Sequence, residues 1–588
     1  MNKLRPAATA CHLLIIVLLG ALIYSNTLTA SFQFDDKLNI VDNQVIRDIG
    51  NLWPPFGARW FGLLTFSLNY LAGGLDPFGY HLVNICIHIL TALSVYLFVL
   101  LTLRTPYFRN FSSTIISQSW FAFVCALLFV AHPIQTQAVT YIVQRFASLA
   151  SLLFMLSLDF YILARLDATN SRPGPPAGRF RFLRSRVLLY AAAGIFALLS
   201  LKTKENAYTL PVVAAMYDLM FISGLSAAFA AVRKRWRAAA SLSALALAAL
   251  VFVNSRYGLL ALFDRLKATN EISRHDYLIT QFRVIVTYIR LLFFPTGQTI
   301  DHRYRVYHTL LDPEVIASLA LIVLLAGAAV YLYAHSRNGN RYLRLVSFGI
   351  LWFFITLSIE SSIIPIIDVM FEHRVYLPST GAILAVAAAV VYALEISARD
   401  RIRVRVSAAC LLVALVTMLA YAAHVRNTVW RSELTLWTDA IAKKPLNPRA
   451  YNMVGIYLQA NFRIYEAIDY FKKALEVDNS YAEARSNLGN AYILTGRVDE
   501  GLNELMITAR SHRFDAIDTG ILYYNIGKAY HRKGLPDRAL EYLNLALRLI
   551  PDEAALHSLL GEVYRQKNLP EQSAAYFKKA HELEPTKY

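Results

Sequence analysis

Phe34-Asp35-Asp36 follows the first long apolar segment, and adjacent carboxylates are an uncommon charge to place where a chain leaves a membrane. A carboxylate there can accept a proton from an attacking hydroxyl, orient that hydroxyl, or coordinate a divalent cation. Two side by side repel, so a dry cleft would push one toward its neutral form. A solvated loop start would hold the same pair. Glu372-His373-Arg374 is a second cluster, set between two apolar segments. A phosphate leaving group needs cations, and arginine offers it a bidentate fork. Arg374 is the first choice for that role, with Lys202 or Lys204 second. Arg374 would alternatively pair with Glu372 or mark a segment end. Glu205 is either a further carboxylate or a neutraliser of Lys202 and Lys204. His132 precedes Pro133 at a helix end, where capping suits it as well as catalysis. Asp301-His302 offers two metal-ligand types without others nearby, so no metal site is assigned, although a divalent ion would be compatible with the acidic pair.

These residues need elements to hold them. The chain has 588 residues, 56% of them hydrophobic, and a mean hydropathy of +0.41. Apolar runs of about 18–22 residues recur, long enough to cross a bilayer. They stop near Tyr421, which sets a multi-spanning domain over 1–425 and a soluble helical domain over 426–588. Eleven spans are expected: 8–24, 80–102, 120–130, 146–163, 187–201, 207–222, 238–253, 315–333, 345–359, 376–394 and 406–423. The stretch 60–71 is apolar but short, and 279–294 carries Arg283 and Arg290, so both read as interfacial or re-entrant helices.

The net charge is +18. Its basic residues cluster in short loops between apolar runs, as topology signals do, which argues against nucleic acid as a partner. With the N-terminus in the cytoplasm, Arg104 and Arg109, the arginines from Arg165 to Arg186, Arg233–Arg237, Arg337–Arg344 and Arg399–Arg405 all fall inside. Asp35, Asp36, His132, Glu205, Asp301, Glu372 and the C-terminal domain then share the outer face. The first segment reads as a retained signal anchor, because no small-x-small cleavage site precedes Asp35. Cys11, Cys86, Cys125 and Cys410 lie in expected spans without CxxC spacing, so no disulfide framework or zinc site is indicated.

After the spans, Gly455, Gly489, Gly527 and Gly561 recur at intervals of 34, 38 and 34, and the last three open Gly-x-x-Tyr. Leu458 replaces the first tyrosine. Ala440, Ala474, Ala546 and Ala580 recur before helix ends, and Pro448, Pro551 and Pro585 close units. The pattern is similar to tetratricopeptide repeats: four units from about Asn447, a capping helix over 432–443, and a lengthened loop at 514–519. Such a solenoid offers a concave surface to a peptide or protein.

Phe34-Asp35-Asp36, Asn69-Tyr70, Phe78-Gly79-Tyr80-His81-Leu82-Val83-Asn84, His132-Pro133 with Tyr141 and Arg145, Lys204-Glu205, and Glu372 through Ser379 occur in this order ahead of the repeats. Together they resemble the transmembrane-and-tetratricopeptide-repeat family of O-mannosyltransferases and their bacterial relatives, over nearly the whole chain. The resemblance implies an all-α protein: a polytopic GT-C-like helical bundle followed by a repeat solenoid. It implies a polyprenyl-phosphate sugar as donor and an acidic pair in the first outer loop, here Asp35 and Asp36, as catalytic centre. The reaction would be a single displacement at the sugar C1, with Asp35 or Asp36 assisting the acceptor hydroxyl and cations stabilising the departing polyprenyl phosphate.

Other classes fit less well. There is no Gly-x-x-x-x-Gly-Lys-Ser/Thr and no His-Glu-x-x-His, and most charges lie in loops rather than spans. A non-catalytic membrane-anchored scaffold is the alternative, but it leaves so many spans unexplained. The Asn-x-Ser/Thr sequon, Asn110-Phe111-Ser112, falls in an inside loop. The expected location is a bacterial inner membrane with periplasmic repeats, and the endoplasmic reticulum membrane with lumenal repeats is second.

Overall fold

The computed structural model describes residues 6–55, 57–109, 113, 115–170, 176–224, 272–336, 340–362, 364–366, 368–397, 400–511 and 516–584, with the side chains of 168–185 left aside. The expected span at 238–253, Arg233–Arg237, Asn110–Ser112, Arg172, Arg337 and Arg399 lie outside the described residues. Among the described residues the chain is helical and has no strand. It divides into two compact units, Met1–Ser432 and Glu433–Tyr588.

The first unit contains helices α1 (Pro6–Tyr24), α2 (Trp60–Gly73), α3 (Pro77–Thr102), α4 (Gln118–Ala131), α5 (Thr136–Thr140), α6 (Arg145–Asn170), α7 (Pro176–Leu201), α8 (Leu210–Tyr217), α9 (Arg274–Phe293), α10 (Pro313–His335), α11 (Arg341–Leu357), α12 (Tyr376–Ser397) and α13 (Arg401–Thr428). Six helical stretches among the described residues are long and apolar enough to cross a bilayer: 7–27, 77–102, 142–167, 313–335, 372–397 and 401–431. α4 and the Pro133–Thr140 segment would make a seventh, bent by 52°. The bend falls at His132-Pro133, where proline removes a backbone donor and breaks the helix. Arg186–Leu201 is a shorter apolar helix.

Burial sorts these helices into centre and rim. Of the best apolar window, 72% is buried in α3 and 78% in the 142–167 stretch, against 17% in α10 and 11% in the 401–431 stretch. α3 and α6 are therefore the axis of the bundle, and α10 and α13 lie at its rim. Inside that axis Ser94 Oγ donates to Asp159 Oδ2 at 2.5 Å, joining α3 to α6. α11 and α12 approach so closely that a methyl added at Gly381 would lie 2.6 Å from the Gly349 carbonyl, so only glycine fits there.

The two ends of the bundle are knit separately. At one end Tyr107 donates to the Ser336 carbonyl at 2.9 Å, and the Arg344 guanidinium bonds Ser336 and the Met220 carbonyl and stacks over Tyr107. Arg165 pairs with Asp218 at 2.9 Å. These are chain ends that the arginine pattern assigns to the cytoplasm. α9 lies across the opposite end. Tyr277 donates to the Glu360 carbonyl, Gln281 to Val369, Tyr288 to Phe371, and His132 meets the Leu292 carbonyl. Four turns of one helix thus bond to the 360–371 segment and His132, so α9 faces protein along its length.

The second unit is built of α14 (Glu433–Lys443), α15 (Pro448–Ala460), α16 (Ile464–Val477), α17 (Ala482–Leu494), α18 (Val498–Ser511), α19 (Ala516–Arg532), α20 (Pro536–Leu549), α21 (Ala554–Gln566) and α22 (Pro570–Leu583). α15 to α22 form four hairpins and α14 precedes them. Gly489 packs against Leu505 of its hairpin partner, where a methyl would sit 2.8 Å from Leu505 Cγ. Where a loop is expected at 514–519, residues from Ala516 onward are helical, and α19 runs 17 residues. The extra residues before Gly527 thus lengthen a helix.

Candidate active site

The acidic pair is presented by strain and then divided by burial. Phe34 adopts a left-handed conformation, φ 45°, which an aromatic residue takes only where its surroundings compel it. Asp36 is fully buried. Its Oδ2 accepts from Gln33 N at 2.9 Å and its Oδ1 from Val143 N at 2.7 Å. Asp35 is half-buried, and its backbone N–H donates to the Tyr141 hydroxyl at 2.9 Å. Tyr141 is itself held by stacking on Trp430, 5.3 Å between ring centres. One carboxylate is therefore a structural anchor, and its neighbour is half-buried beside it.

Burial pushes the Asp36 carboxyl up to about 8, against the pull of the Gln33 and Val143 N–H groups and with a push from Asp35. Arg145 and Tyr141 also act on it electrostatically. Between the ordinary carboxylate range near 4 and that value, folding takes up a proton. The contribution of Asp36 to stability is therefore greatest at and below about pH 4, falls as pH rises to about 8, and is flat above. We expect the protein in nanodiscs to melt lower near pH 9 than near pH 6. Asp36→Asn should remove most of that difference, and an unchanged slope would refute the assignment.

The residues that carry the resemblance converge on one side chain. Arg145 is fully buried. Its Nε donates to Asn84 Oδ1 at 2.7 Å, one terminal nitrogen to Asn69 Oδ1 at 2.6 Å and the Thr65 carbonyl at 3.2 Å, and the other to the Tyr80 carbonyl at 3.0 Å. The guanidinium lies 4.4 Å from the centre of the Phe66 ring. Asn84 also donates to the Val139 and Ile142 carbonyls, and so fixes the turn that presents Tyr141 and Val143 to the aspartates. Lysine cannot supply this fork. Arg145→Lys is expected to cost roughly 3 kcal/mol or more by stranding buried acceptors, measured as a fall in melting temperature in nanodiscs.

α5 links this region to the second cluster. Gln137 Oε1 accepts from His373 N at 2.8 Å, and Gln137 lies about 6 Å along the helix axis from Tyr141. Lys204, Arg374 and Arg59 all act electrostatically on the His373 ring. Lys204 Nζ meets Glu360 Oε1 at 2.6 Å, with both side chains under 10% exposed. The second oxygen of Glu360 is buried with no hydrogen-bond partner, as is His373 Nδ1. The Arg374 guanidinium donates to the Val369 carbonyl at 3.0 Å and the Asp368 carbonyl at 2.6 Å. Arg374 thus anchors the backbone at 368–369, while Lys204 holds the Glu360 carboxylate.

The remaining expected residues serve other partners. Glu372 accepts from His302 at 3.0 Å, Gln298 Nε2 at 2.8 Å and Thr299 N at 2.9 Å, so it holds the 298–302 loop. His132 accepts from Ile134 N through Nδ1 and meets the Leu292 carbonyl through Nε2, which is a capping geometry. Glu205 pairs at 3.6 Å with Arg59, so its nearest cation comes from the first loop. Lys202 is exposed, its Nζ 3.5 Å from the Pro55 carbonyl. Among the described residues no three His, Cys, Asp or Glu are gathered as metal ligands. Glu360 escaped sequence reasoning. Its signal was a lone acid directly after an apolar run, where a span end needs charge balance.

Tetratricopeptide repeat models match residues 458–516, 521–553 and 554–587. The chain is homologous along 94% of its length to the Protein O-mannosyl-transferase Tmtc3 of Drosophila melanogaster, with 25% identity and 63% of that protein covered. The human Protein O-mannosyl-transferase TMTC2 is 32% identical over 34% of this chain and 23% of its own length. The chain thus spans less than two thirds of the curated relatives it matches. Among solved structures, a crystal structure of MamA protein aligns with 26% of this chain and 82% of its own, at 23% identity and a TM-score of 0.22.

Proposed function

We propose, from homology to the transmembrane and tetratricopeptide-repeat O-mannosyl-transferases, that this chain is an integral-membrane glycosyltransferase. It moves a sugar, mannose first, from a polyprenyl phosphate to a hydroxyl of a protein acceptor on the extracytoplasmic side, and the repeats engage the acceptor or a partner. The observation that carries this reading is the α5 bridge: half-buried Asp35 donates its backbone N–H to Tyr141 at one end, and at the other Gln137 holds His373, on whose ring Lys204, Arg374 and Arg59 act.

In the reaction the acceptor oxygen forms a bond to the sugar C1 as the bond from C1 to the phosphate oxygen breaks. The acceptor proton passes to Asp35, and the electron pair leaves with the polyprenyl phosphate. Lys204 meets the developing negative charge on the phosphate, with Glu360 yielding its place. Asp36, neutral below about pH 8, keeps the pair at one negative charge and fixes Asp35. No metal step is needed for this balance. The host membrane we favour is a bacterial inner membrane with periplasmic repeats.

The test is transfer to protein from radiolabelled polyprenyl-phosphate mannose, with glucose and galactose donors in parallel, in membranes enriched in the chain. Label entering protein from the mannose donor supports the reading. No transfer from any of the three would overturn it.

A further inference from the structure

Buried polar atoms without a hydrogen bond gather around the Lys204–Glu360 pair. Besides Glu360 Oε2 and His373 Nδ1 they are Gln137 Nε2, Ser361 Oγ and Asn206 Oδ1, and none has a partner among the described residues. Every one of these residues is at most 9% exposed. Contacts tie them together. Gln137 Oε1 accepts from the His373 backbone N–H. Lys204 acts electrostatically on the His373 ring and meets Glu360 at 2.6 Å. Ser361 follows Glu360, and Asn206 lies two residues past Lys204.

Buried polar groups are as a rule hydrogen-bonded, so a cluster of orphans marks a place that something polar completes. The atoms themselves say what. An amide nitrogen only donates, and a carboxylate or amide oxygen only accepts. Gln137 Nε2 therefore needs an acceptor, while Glu360 Oε2 and Asn206 Oδ1 need donors. A phosphate offers acceptors alone and leaves the two oxygens unmet. A metal ion or an ammonium group engages acceptors alone and leaves the amide nitrogen unmet. A row of hydroxyls serves both, because each donates once and accepts twice. Ser361 Oγ suits either role, and His373 Nδ1 does so by its tautomer. Water shares this chemistry, and the experiment below separates it from a sugar. Position favours the sugar. Gln137 stands on α5 between Tyr141, which holds Asp35, and His373, on which Lys204 acts. A sugar in transfer lies between its base and its leaving phosphate.

We propose that Gln137, His373 and Glu360 read the sugar of the donor, with Ser361 and Asn206 beside them, and that the sugar they select is an uncharged hexose. Gln137 Nε2 donates to one ring hydroxyl. Glu360, displaced from Lys204 by the phosphate, accepts from another. A uronic acid would set a second carboxylate against Glu360 and is selected against. The inference rests on the transferase reading and adds the donor specificity of that same site.

The experiment uses the full chain in nanodiscs. The probes are a short-chain polyprenyl-phosphate mannose, its monodeoxy analogues, the mannuronate counterpart and the bare polyprenyl phosphate. Binding is read from the melting temperature across a titration of each probe, and transfer to protein is followed in parallel. The mannose donor should bind more tightly than the bare phosphate, and at least one deoxy analogue should lose most of that gain. Gln137→Glu keeps the oxygen that holds His373 and replaces only the orphan nitrogen. His373→Phe keeps the backbone bond to Gln137 and the stack on Phe371. Without probe, neither variant should melt below the wild type. Each should bind the mannose donor about tenfold more weakly, and one deoxy analogue should bind variant and wild type alike. A sugar-dependent gain that survives both variants would overturn the proposal. So would no such gain in the wild type, or an equal gain from mannuronate. A fall in melting temperature of both probe-free variants would show that these atoms serve packing or structural water, and would overturn it too. Transfer unchanged in both variants counts against this site alone. Sugar-dependent binding that both variants abolish, with no transfer by the wild type, counts against the enzyme alone.

Discussion

Asp35→Asn is expected to lower sugar transfer about 10²–10⁴-fold while leaving the fold intact, the range for removing a positioned acid–base group. Asp36→Asn is expected to act in the opposite order, on folded yield first. The difference follows from what each carboxylate touches. Both Asp36 oxygens accept backbone N–H bonds, from Gln33 and Val143. An asparagine has one acceptor, so its amide nitrogen would face a buried donor at a cost of about 1–3 kcal/mol. The Asp35 contact to Tyr141 runs through its backbone N–H and survives the change. The measurement is initial rate per folded molecule, with folded protein counted by fluorescence-detected size exclusion. A near-normal rate for folded Asp35→Asn would remove its role as base. A well-folded Asp36→Asn with the greater loss of rate would exchange the two assignments.

Lys204→Met is expected to be among the most damaging single changes in the membrane unit, about 3–5 kcal/mol, because it leaves Glu360 charged and alone in a buried site. Glu360→Gln is expected to cost less stability, since Lys204 keeps an uncharged acceptor. The double variant Lys204→Met with Glu360→Gln should regain much of the lost stability, because no uncompensated charge is left. Its transfer rate should stay low, because the cation that meets the phosphate is gone. This split between recovered melting temperature and unrecovered rate separates a functional cation from a structural ion pair. A double variant that regains both would show that the pair serves folding alone.

How much of this could be read in advance depended on the distance over which each feature is decided. Apolar run length is local, and α1, α3, α6, α10, α12 and α13 lie where the runs do. The glycine period is local too, and the four repeat hairpins follow it. The acidic pair was visible as a pair, but its division of labour was not, because Asp36 is buried by the turn at Ile142–Val143, 107 positions along the chain. Glu205 beside two lysines looks like their counter-ion, yet the chain turns into a short 3-10 helix there and carries it to Arg59. Lys204 was singled out without its partner, since Glu360 belongs to a segment ordered by Arg374 and α9. The motif residues Asn69, Asn84 and Arg145 carried the resemblance as a string. Their physical meaning, one guanidinium satisfied by side chains and carbonyls of two other helices, exists only in three dimensions.

The loop that bears the aspartates is closed by the far end of its own unit. Asn26 donates to the His424 carbonyl, Asn427 to Ile23, Gln33 to Trp430, and Ser31 N to the Arg431 carbonyl, across 398, 404, 397 and 400 positions of sequence. During synthesis α1 is therefore inserted long before its partner exists. At about 5–20 residues per second the wait is roughly 20–80 s. Throughout it the aspartate loop lacks Trp430, the ring on which Tyr141 rests. The nascent chain would thus sit in its membrane with an incomplete centre until α13 arrives, and translation of the last span would act as the timer that switches the site on.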